Sequence, residues 1–351
     1  MFVALRDIRF ARGRFALMGA VVTLITTLVV FLYGLTGGLA SAASSTVAEL
    51  PVDSVVFGAA PGAEPEVSFA SSTLTPDQLA RVAAAPGAGA VSPLGVAMSR
   101  LTTADGAASV SVLGTDAALL PPLSAGAAPK DGELAVGADT AAKYHLSPGT
   151  QVTVGPEHLT VVAVTAERSL SHAPSVWTTP ATWQRVSGQK QPTAAAVRGT
   201  PHGLPADLKA VGKDDALAGI NGYAAEQGSL QLIQGFLFAV SALVVGAFFT
   251  VWTVQRKPDI AVLKAVGASS GYLVRDALAQ AAAVLLAGAL LGGAVGAVGG
   301  AFASAAVPFD VSALTVAVPV TAMVLLGLLG AVLAVRRITA VDPLAALGAN
   351  R

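Results

Sequence analysis

The sequence predicts an α-helical membrane protein with four transmembrane helices plus one α+β extracytoplasmic domain. Three observations carry that expectation. The 351 residues are 54% apolar and only 12% charged, well outside the range of ordinary soluble domains. Four stretches hold no charged residue and are long enough to cross a bilayer. Between the first and the second lies a long segment of mixed composition with capping and turn signals of its own.

Residues 1–14 carry Arg6, Arg9, Arg12 and Arg14 beside Phe2, Leu5 and Ile8. They read as a cytoplasmic basic helix in the headgroup layer with snorkelling arginine stems, or else as a plain basic tail. Residues 15–39 are uncharged. At about 1.5 Å per residue they exceed a hydrocarbon core of about 30 Å, so they form the first span. Ala40-Ser41-Ala42 imitates a secretory cleavage site. The apolar run is too long for a signal core, which favours an uncleaved anchor.

The remaining spans are residues 229–255, 277–308 and 311–335, the last two joined by a turn at Pro308-Phe309-Asp310. Arg256, Lys257, Lys264 and Arg275 crowd the 256–276 loop, and Arg336, Arg337 and Arg351 the tail 336–351. The short loop at Asp310 has no basic residue. The positive-inside rule then puts both termini and the 256–276 loop in the cytoplasm of a bacterial cell, with the chain multi-pass in its plasma membrane. Gly288, Gly292, Gly296 and Gly300 recur at every fourth position of the third span. Such a stripe lets another helix approach closely, in this chain or in another copy.

Residues 40–228 then form one extracytoplasmic domain on two stalks, 40–50 and 216–228. Thr75-Pro76-Asp77-Gln78 has the pattern of a capping box with a first-position proline, and Pro86-Gly87 ends that helix. Alternation predicts strands at 109–113, 151–154 and 160–164, with Gly155-Pro156 turning a hairpin, and GELAVGADTAAKYH at 132–145 reads strand then helix.

The loop RKPDIAVLKAVGAS begins at Arg256. Pro258 suits a first helical position, Asp259 the positive end of the dipole, and Gly267 a stop, while Ile260, Leu263 and Val266 share one side. Spacing alone leaves two readings: a lever for a soluble partner, or an interfacial loop that anchors the spans. The residues resemble the cytoplasmic loop of ABC-transporter permeases of the FtsX/MacB type, roughly R-x-x-E-I-A-V-L-K-A-I-G-A-S. Arg256, Ile260, Ala261, Val262, Leu263, Lys264, Ala265, Gly267, Ala268 and Ser269 match, and Asp259 stands where that family has Glu. The strand–helix pattern of 132–145 with the following hairpin resembles MacB-type extracytoplasmic domains, and the ending RRITAVDPLAAL the family's tail. The resemblance implies a coupling helix (Asp259, Ile260, Leu263, Lys264, Val266, Gly267) seated in a groove of a separate ATP-binding subunit. Two copies of each chain would assemble in membrane lipid, with ATP-Mg on the partner.

At the outer end of the second span, Tyr223, Glu226, Gln227, Gln231 and Gln234 run directly into an apolar stretch. Glu226, Leu230 and Gln234 fall on one helix face. A carboxylate at a membrane lip tends to face a cavity or a partner helix, although Glu226 could equally sit in the watery stalk. NGYAAEQGSLQLIQGF, with the amino end FVALRDIRFARGRFALM, resembles haem-exporting permeases of the HrtB/DevC subgroup. That resemblance implies Glu226 as a haem-iron ligand, in a pocket between two copies lined by Tyr223, Gln227, Leu230, Gln231 and Gln234. Met98 is the single methionine of the expected outer domain.

Enzymatic chemistry is not expected. No G-x-x-x-x-G-K-[ST] or G-x-S-x-G occurs, there is no cysteine, and His145, His158, His172 and His202 lack metal-binding spacing and read as solvated. Formal charge balances to zero, so nothing points to nucleic acid. No intrinsic cofactor or metal is expected beyond haem iron as substrate. The expected function is the permease of an ATP-driven exporter of a hydrophobic molecule, haem first, working by mechanotransmission. The alternatives are an FtsX-like transmitter controlling a cell-wall hydrolase, or an exporter of an amphipathic drug, peptide or lipid.

Overall fold

The computed structural model describes residues 12–60, 62–255 and 262–336. The basic tail up to residue 11, the coupling residues Asp259 and Ile260, and the chain beyond 336 lie outside them. The chain divides into two compact units, Leu39–Gly228 and the two flanking segments together.

Helix α1 (Arg12–Ala48) opens the described chain. The β-rich unit follows with β1 (Ser54–Gly58), α2 (Pro76–Ala84), β2 (Ala88–Thr103), β3 (Gly106–Thr115), β4 (Leu123–Gly126), β5 (Glu133–Gly137) and α3 (Ala138–Lys143). It continues with β6 (Gln151–Val154), β7 (Glu157–Thr165), β8 (Ser169–Leu170), β9 (Ala173–Thr178), α4 (Pro180–Ser187), β10 (Ala194–Gly199), β11 (Leu208–Gly212) and α5 (Lys213–Ala216). The sheet order is β11-β1-β10-β2-β3-β9-β5-β7-β4, with β6 bridging β2 and β7 and β8 paired to β9. The β3–β9 and β5–β7 pairs are parallel and the others antiparallel. This is an α+β domain.

Local chemistry explains its elements. Thr75 and Gln78 form a reciprocal capping box at the start of α2. Val154 pairs with Glu157 across the Gly155-Pro156 turn. Gly95 and Gly114 face each other across β2 and β3, and Trp183 of α4 lies over both, so the indole occupies space any side chain there would fill. The segments expected as stalks belong to this body: Val47 in the last turn of α1, Leu50 just beyond it, and Ala216 and Ile220 are buried in the same core as Phe57 and Trp177. The carboxylate of Glu167 accepts hydrogen bonds from the Asp139 and Thr140 amides at 2.9 and 3.3 Å and from Thr140 Oγ1 at 3.2 Å. Burial pushes its carboxyl above the ordinary value near 4.5, and those donors offset part of the rise.

The other helices are α6 (Tyr223–Gln255), α7 (Ser270–Ala303) and α8 (Ala313–Arg336), and all four long helices have the length and hydropathy to cross a membrane. Both α1 and α6 run further than the expected spans, and α7 starts within the segment expected as loop. In the helical unit α7 packs on α1 through its glycines. A Cβ at Gly288 would lie 2.9 Å from Val22, one at Gly292 2.5 Å from the Thr23 carbonyl oxygen, and one at Gly296 2.8 Å from Val30. The partner of the stripe is therefore in the same chain. Thr27 Oγ1 also donates to the Gly292 carbonyl at 3.1 Å. At the end of the stripe the Phe309 ring fills the space over Gly34 and Gly300 and meets Phe31 with centroids 5.1 Å apart. Asp310 closes the connection: its amide donates to Gly34 O at 3.0 Å, and its carboxylate accepts from Thr315 Oγ1 at 2.7 Å.

Two outcomes follow from this packing. Gly292→Ala must displace the α1 backbone and should lower the thermal midpoint of the detergent-solubilised chain, whereas Gly299→Ala, with open space around it, should leave it unchanged or raised. The Glu167 proton is held more tightly in the folded chain than in the unfolded one. The stability it contributes is complete below about 4.5 and is lost as pH rises through the folded value. Glu167→Gln should flatten that part of the pH–stability profile, measured by thermal melts across the acid range.

Candidate functional site

Gly222, at φ 79°, breaks the chain ahead of α6, and the Glu226 amide then donates to Gly222 O at 3.0 Å. Glu226 thus sits in the first turn of α6, where the helix dipole favours a carboxylate. Opposite it is the β8–β9 hairpin. Ser169 pairs with Pro174 and Leu170 with Ala173, leaving Ser171 and His172 as a two-residue turn, both left-handed at φ 50° and 60°. A tight primed turn demands that conformation, which neither residue type favours.

The turn is held in place by the end of α1. The Ser171 amide donates to Ala43 O at 2.9 Å and the His172 amide to Ala42 O at 3.1 Å. Ser45 Oγ accepts from the Ser169 amide at 2.9 Å, and the hydroxyls of Thr46 and Ser175 lie 2.6 Å apart. The fixed turn presents the His172 ring, and its Nε2 reaches Glu226 Oε2 at 2.9 Å. Both side chains are partly exposed, 43% for the histidine and 32% for the glutamate, so an added ligand can reach either.

The structure places the other candidate residues with different success. Tyr223, Gln227, Leu230 and Gln234 lie with Glu226 on the partly buried stripe of α6, whereas Gln231 is on the exposed side. The Gln227 amide nitrogen is buried without a hydrogen-bond partner among the described residues. Leu232, Ile233 and Phe236 are exposed apolar side chains on the same helix. Met98 accepts from Ser111 Oγ at 3.1 Å and lines a cavity of about 380 Å³ together with Ser171 and Asn221, chain neighbours of the His172 turn and of the start of α6.

All four histidines are exposed, as expected, and two of them also have carboxylate partners. His172 is paired with Glu226, and His145 Nδ1 lies 3.2 Å from Asp105. His172, read from the sequence only as a solvated histidine, is the residue the fold brings to the candidate Glu226. Its faint signal was a polar Ser-His step between two short β-prone runs, but its partner is 54 positions away. Among the described residues no group of three or more His, Cys, Asp and Glu could hold a metal ion.

The coupling stretch is described from Val262 onward. Residues 262–265 are helical, and the helix ends in a Schellman motif: the Ala268 amide donates to Leu263 O at 2.9 Å and the Gly267 amide to Lys264 O at 3.0 Å, with Gly267 at φ 104°. Ser269 then caps α7 by accepting from the Tyr272 amide. Val262, Leu263 and Val266 are exposed, at 56%, 39% and 83%.

Four apolar helices with a large α+β insertion after the first define a polytopic membrane protein of the permease class. The chain belongs to the FtsX/MacB family of ABC-transporter permeases: the MacB-like periplasmic core domain matches residues 15–214, and the FtsX-like permease C-terminal region matches residues 232–343. It is 28% identical to an uncharacterised ABC transporter permease of Mycobacterium tuberculosis over 99% of both chains. It is 27% identical, again over 99% of both, to the "Putative hemin transport system permease protein HrtB" of Staphylococcus haemolyticus. The periplasmic region of MacB from Actinobacillus actinomycetemcomitans is similar at TM-score 0.36 and 10% identity, over 47% of this chain and 90% of that one, too remote to bear on function.

If Glu226 holds the His172 ring, Glu226→Ala should raise the reactivity of His172 toward diethylpyrocarbonate, read by mass spectrometry. His158, whose ring is held by Thr153 at 3.0 Å, serves as the internal control. Unchanged His172 labelling would show that the pair does not persist in solution.

Proposed function

We propose that this ABC permease is the membrane subunit of an exporter that takes haem from the bilayer, with Glu226 as the primary iron contact. The observation that carries the reading is the fixed His172–Glu226 pair at the start of α6. Carboxylate and imidazole both ligate iron, and a porphyrin needs apolar surface beside its metal. Leu232, Ile233 and Phe236 expose such surface about two to three turns further along the helix. Tyr223, Gln227, Leu230, Gln231 and Gln234 complete the lining. A staphylococcal relative named for hemin transport over nearly its whole length supports the same substrate class.

In this proposal two copies of the chain pair in the membrane with two ATP-binding subunits, and the pocket lies between the copies, open to the outer leaflet. Both termini and the coupling loop face the cytoplasm and the β-rich unit faces outward, in keeping with the clustered basic residues of the 256–276 loop. ATP and magnesium act on the partner. Its closure pushes the coupling residues Asp259, Ile260, Leu263, Lys264, Val266 and Gly267. That movement tilts α6 and expels the ligand. The exposed Val262, Leu263 and Val266 favour this over a merely anchoring loop.

Titrating haem into the detergent-solubilised chain should give a saturable Soret shift that Glu226→Ala weakens by on the order of tenfold or more, the loss typical of a ligating or charge-assisted contact. An unaltered shift and undiminished protection of cells from haem in that variant would remove the haem reading. Separately, Leu263→Asp should abolish stimulation of the partner's ATPase while leaving haem binding intact, and normal stimulation would refute the coupling assignment.

A further inference from the structure

Strand β2 has neighbours on both sides for only part of its length. On the side away from β3, its pairing with β10 ends at Leu94 and its pairing with β6 begins at Leu101. Between those points β2 pairs with β3 alone among the described residues. This is an interior gap in the sheet rather than an outer edge, because a strand occupies the same row on either side of it.

Hydrogen bonds at its two ends show which backbone groups face the gap. Leu94 O accepts from the Thr193 amide at 3.1 Å, the Val96 amide donates to Thr193 Oγ1 at 3.2 Å, and Arg100 O accepts from the Gly155 amide at 3.0 Å. Backbone groups alternate sides along a strand, so those of Met98 point the same way. Val96 O, Met98 N–H, Met98 O and Arg100 N–H therefore face the gap, and they make no hydrogen bond among the described residues.

The cavity of about 380 Å³ adjoins this gap. Val96 and Met98 line it from one face of β2 and Ala97 from the other, with Gln189 of the loop before β10 opposite them. Buried Phe69, Leu170 and Ile220 give it an apolar floor, and no charged side chain lines it. The charges lie just outside. Arg100 is two places beyond Met98 and Lys190 is next to Gln189; both are exposed, and neither is in an ion pair among the described residues. Glu157, at the β6–β7 turn, is already taken by Arg185 at 2.9 Å.

An open strand with a pocket beside it suits an added strand, whose main chain supplies affinity and whose side chain supplies selectivity. We propose that the gap in β2 docks an extended, acidic segment of another protein. The segment runs antiparallel to β2, in line with β10 and β6, and its central residue exchanges two hydrogen bonds with Met98. Residues directly opposite in a ladder share a face, so that central residue sends an apolar side chain past Met98 into the cavity. At about 3.3 Å per residue the gap admits roughly five residues. Acidic flanks meet Arg100 and Lys190, whereas two copies of this chain joined through the gap would set like charges against each other. The site uses no residue of the haem reading and stands without it. Ser171 and Asn221, which also line the cavity, put a docked strand beside the His172 turn.

The test uses the full chain in non-ionic detergent with the capped pentapeptide acetyl-EVLVE-amide. Two further peptides serve for comparison: the same one N-methylated at its leucine, and acetyl-KVLVK-amide. Hydrogen exchange read by mass spectrometry should find the Met98 and Arg100 amides fast in the free chain and slowed, saturably, by the acidic peptide. The N-methylated and basic peptides should each bind about tenfold or more weakly, the first for want of a main-chain donor and the second for its charge. Met98→Pro removes a donor that the sheet itself does not use, so it should leave the chain folded and abolish binding of the acidic peptide. Unslowed exchange with the acidic peptide overturns the proposal, as does equal slowing by either comparison peptide. Protection that rises with chain concentration in the absence of peptide also overturns it, by making a second copy the occupant. Where Met98→Pro does not fold, the N-methylated peptide on the wild-type chain decides the same question.

Discussion

The helical unit depends on one steric condition: α7 must present bare backbone to α1. In a bilayer no hydrophobic force separates one apolar helix from another, so association rests on close packing and on whatever polar groups can meet. Gly288, Gly292 and Gly296 supply the first, and the Thr27 hydroxyl on the Gly292 carbonyl supplies the second. The same logic continues to the α7–α8 connection, where Gly34 and Gly300 leave room for the Phe309 ring. Remove the stripe and α1, α7 and the turn at Asp310 lose their common register.

In the β-rich unit the comparable device is a small, strained turn. Ser171 and His172 adopt left-handed backbone that costs free energy for residues with a side chain. Two hydrogen bonds donated by its amides to carbonyls at the end of α1, and a hydroxyl pair beside them, hold the turn in that shape. The reward is a histidine whose ring direction is set by backbone rather than by its own rotamer alone. An imidazole so presented meets Glu226 with little ordering of its own left to do.

The β-rich unit also shows how composition can conceal chemistry. Its cavities are lined by residues from the end of α1, from turns and from several strands, and no two of the polar groups that matter are adjacent in the chain. Arg168 reads in sequence as one more surface arginine. In the fold it is committed to Glu49, 119 positions away, with Nη2 to Oε2 at 2.6 Å.

Local patterns decided the elements. The uncharged runs, the capping box at Thr75 and Gln78, the Gly155-Pro156 hairpin and the Gly267 stop each depend on a few neighbouring residues, and each could be read without knowing what packs where. The coupling stretch and Glu226 stood out as candidates for the same reason, through their spacing and their setting between apolar runs. The partner of the glycine stripe, the strand order, the inclusion of Ala216 and Ile220 in the core and the meeting of His172 with Glu226 were not. Those depend on which surfaces meet after the chain has folded back across tens to hundreds of residues. Periodicity says which face of an element seeks a neighbour; only the closed, packed structure says which neighbour it finds.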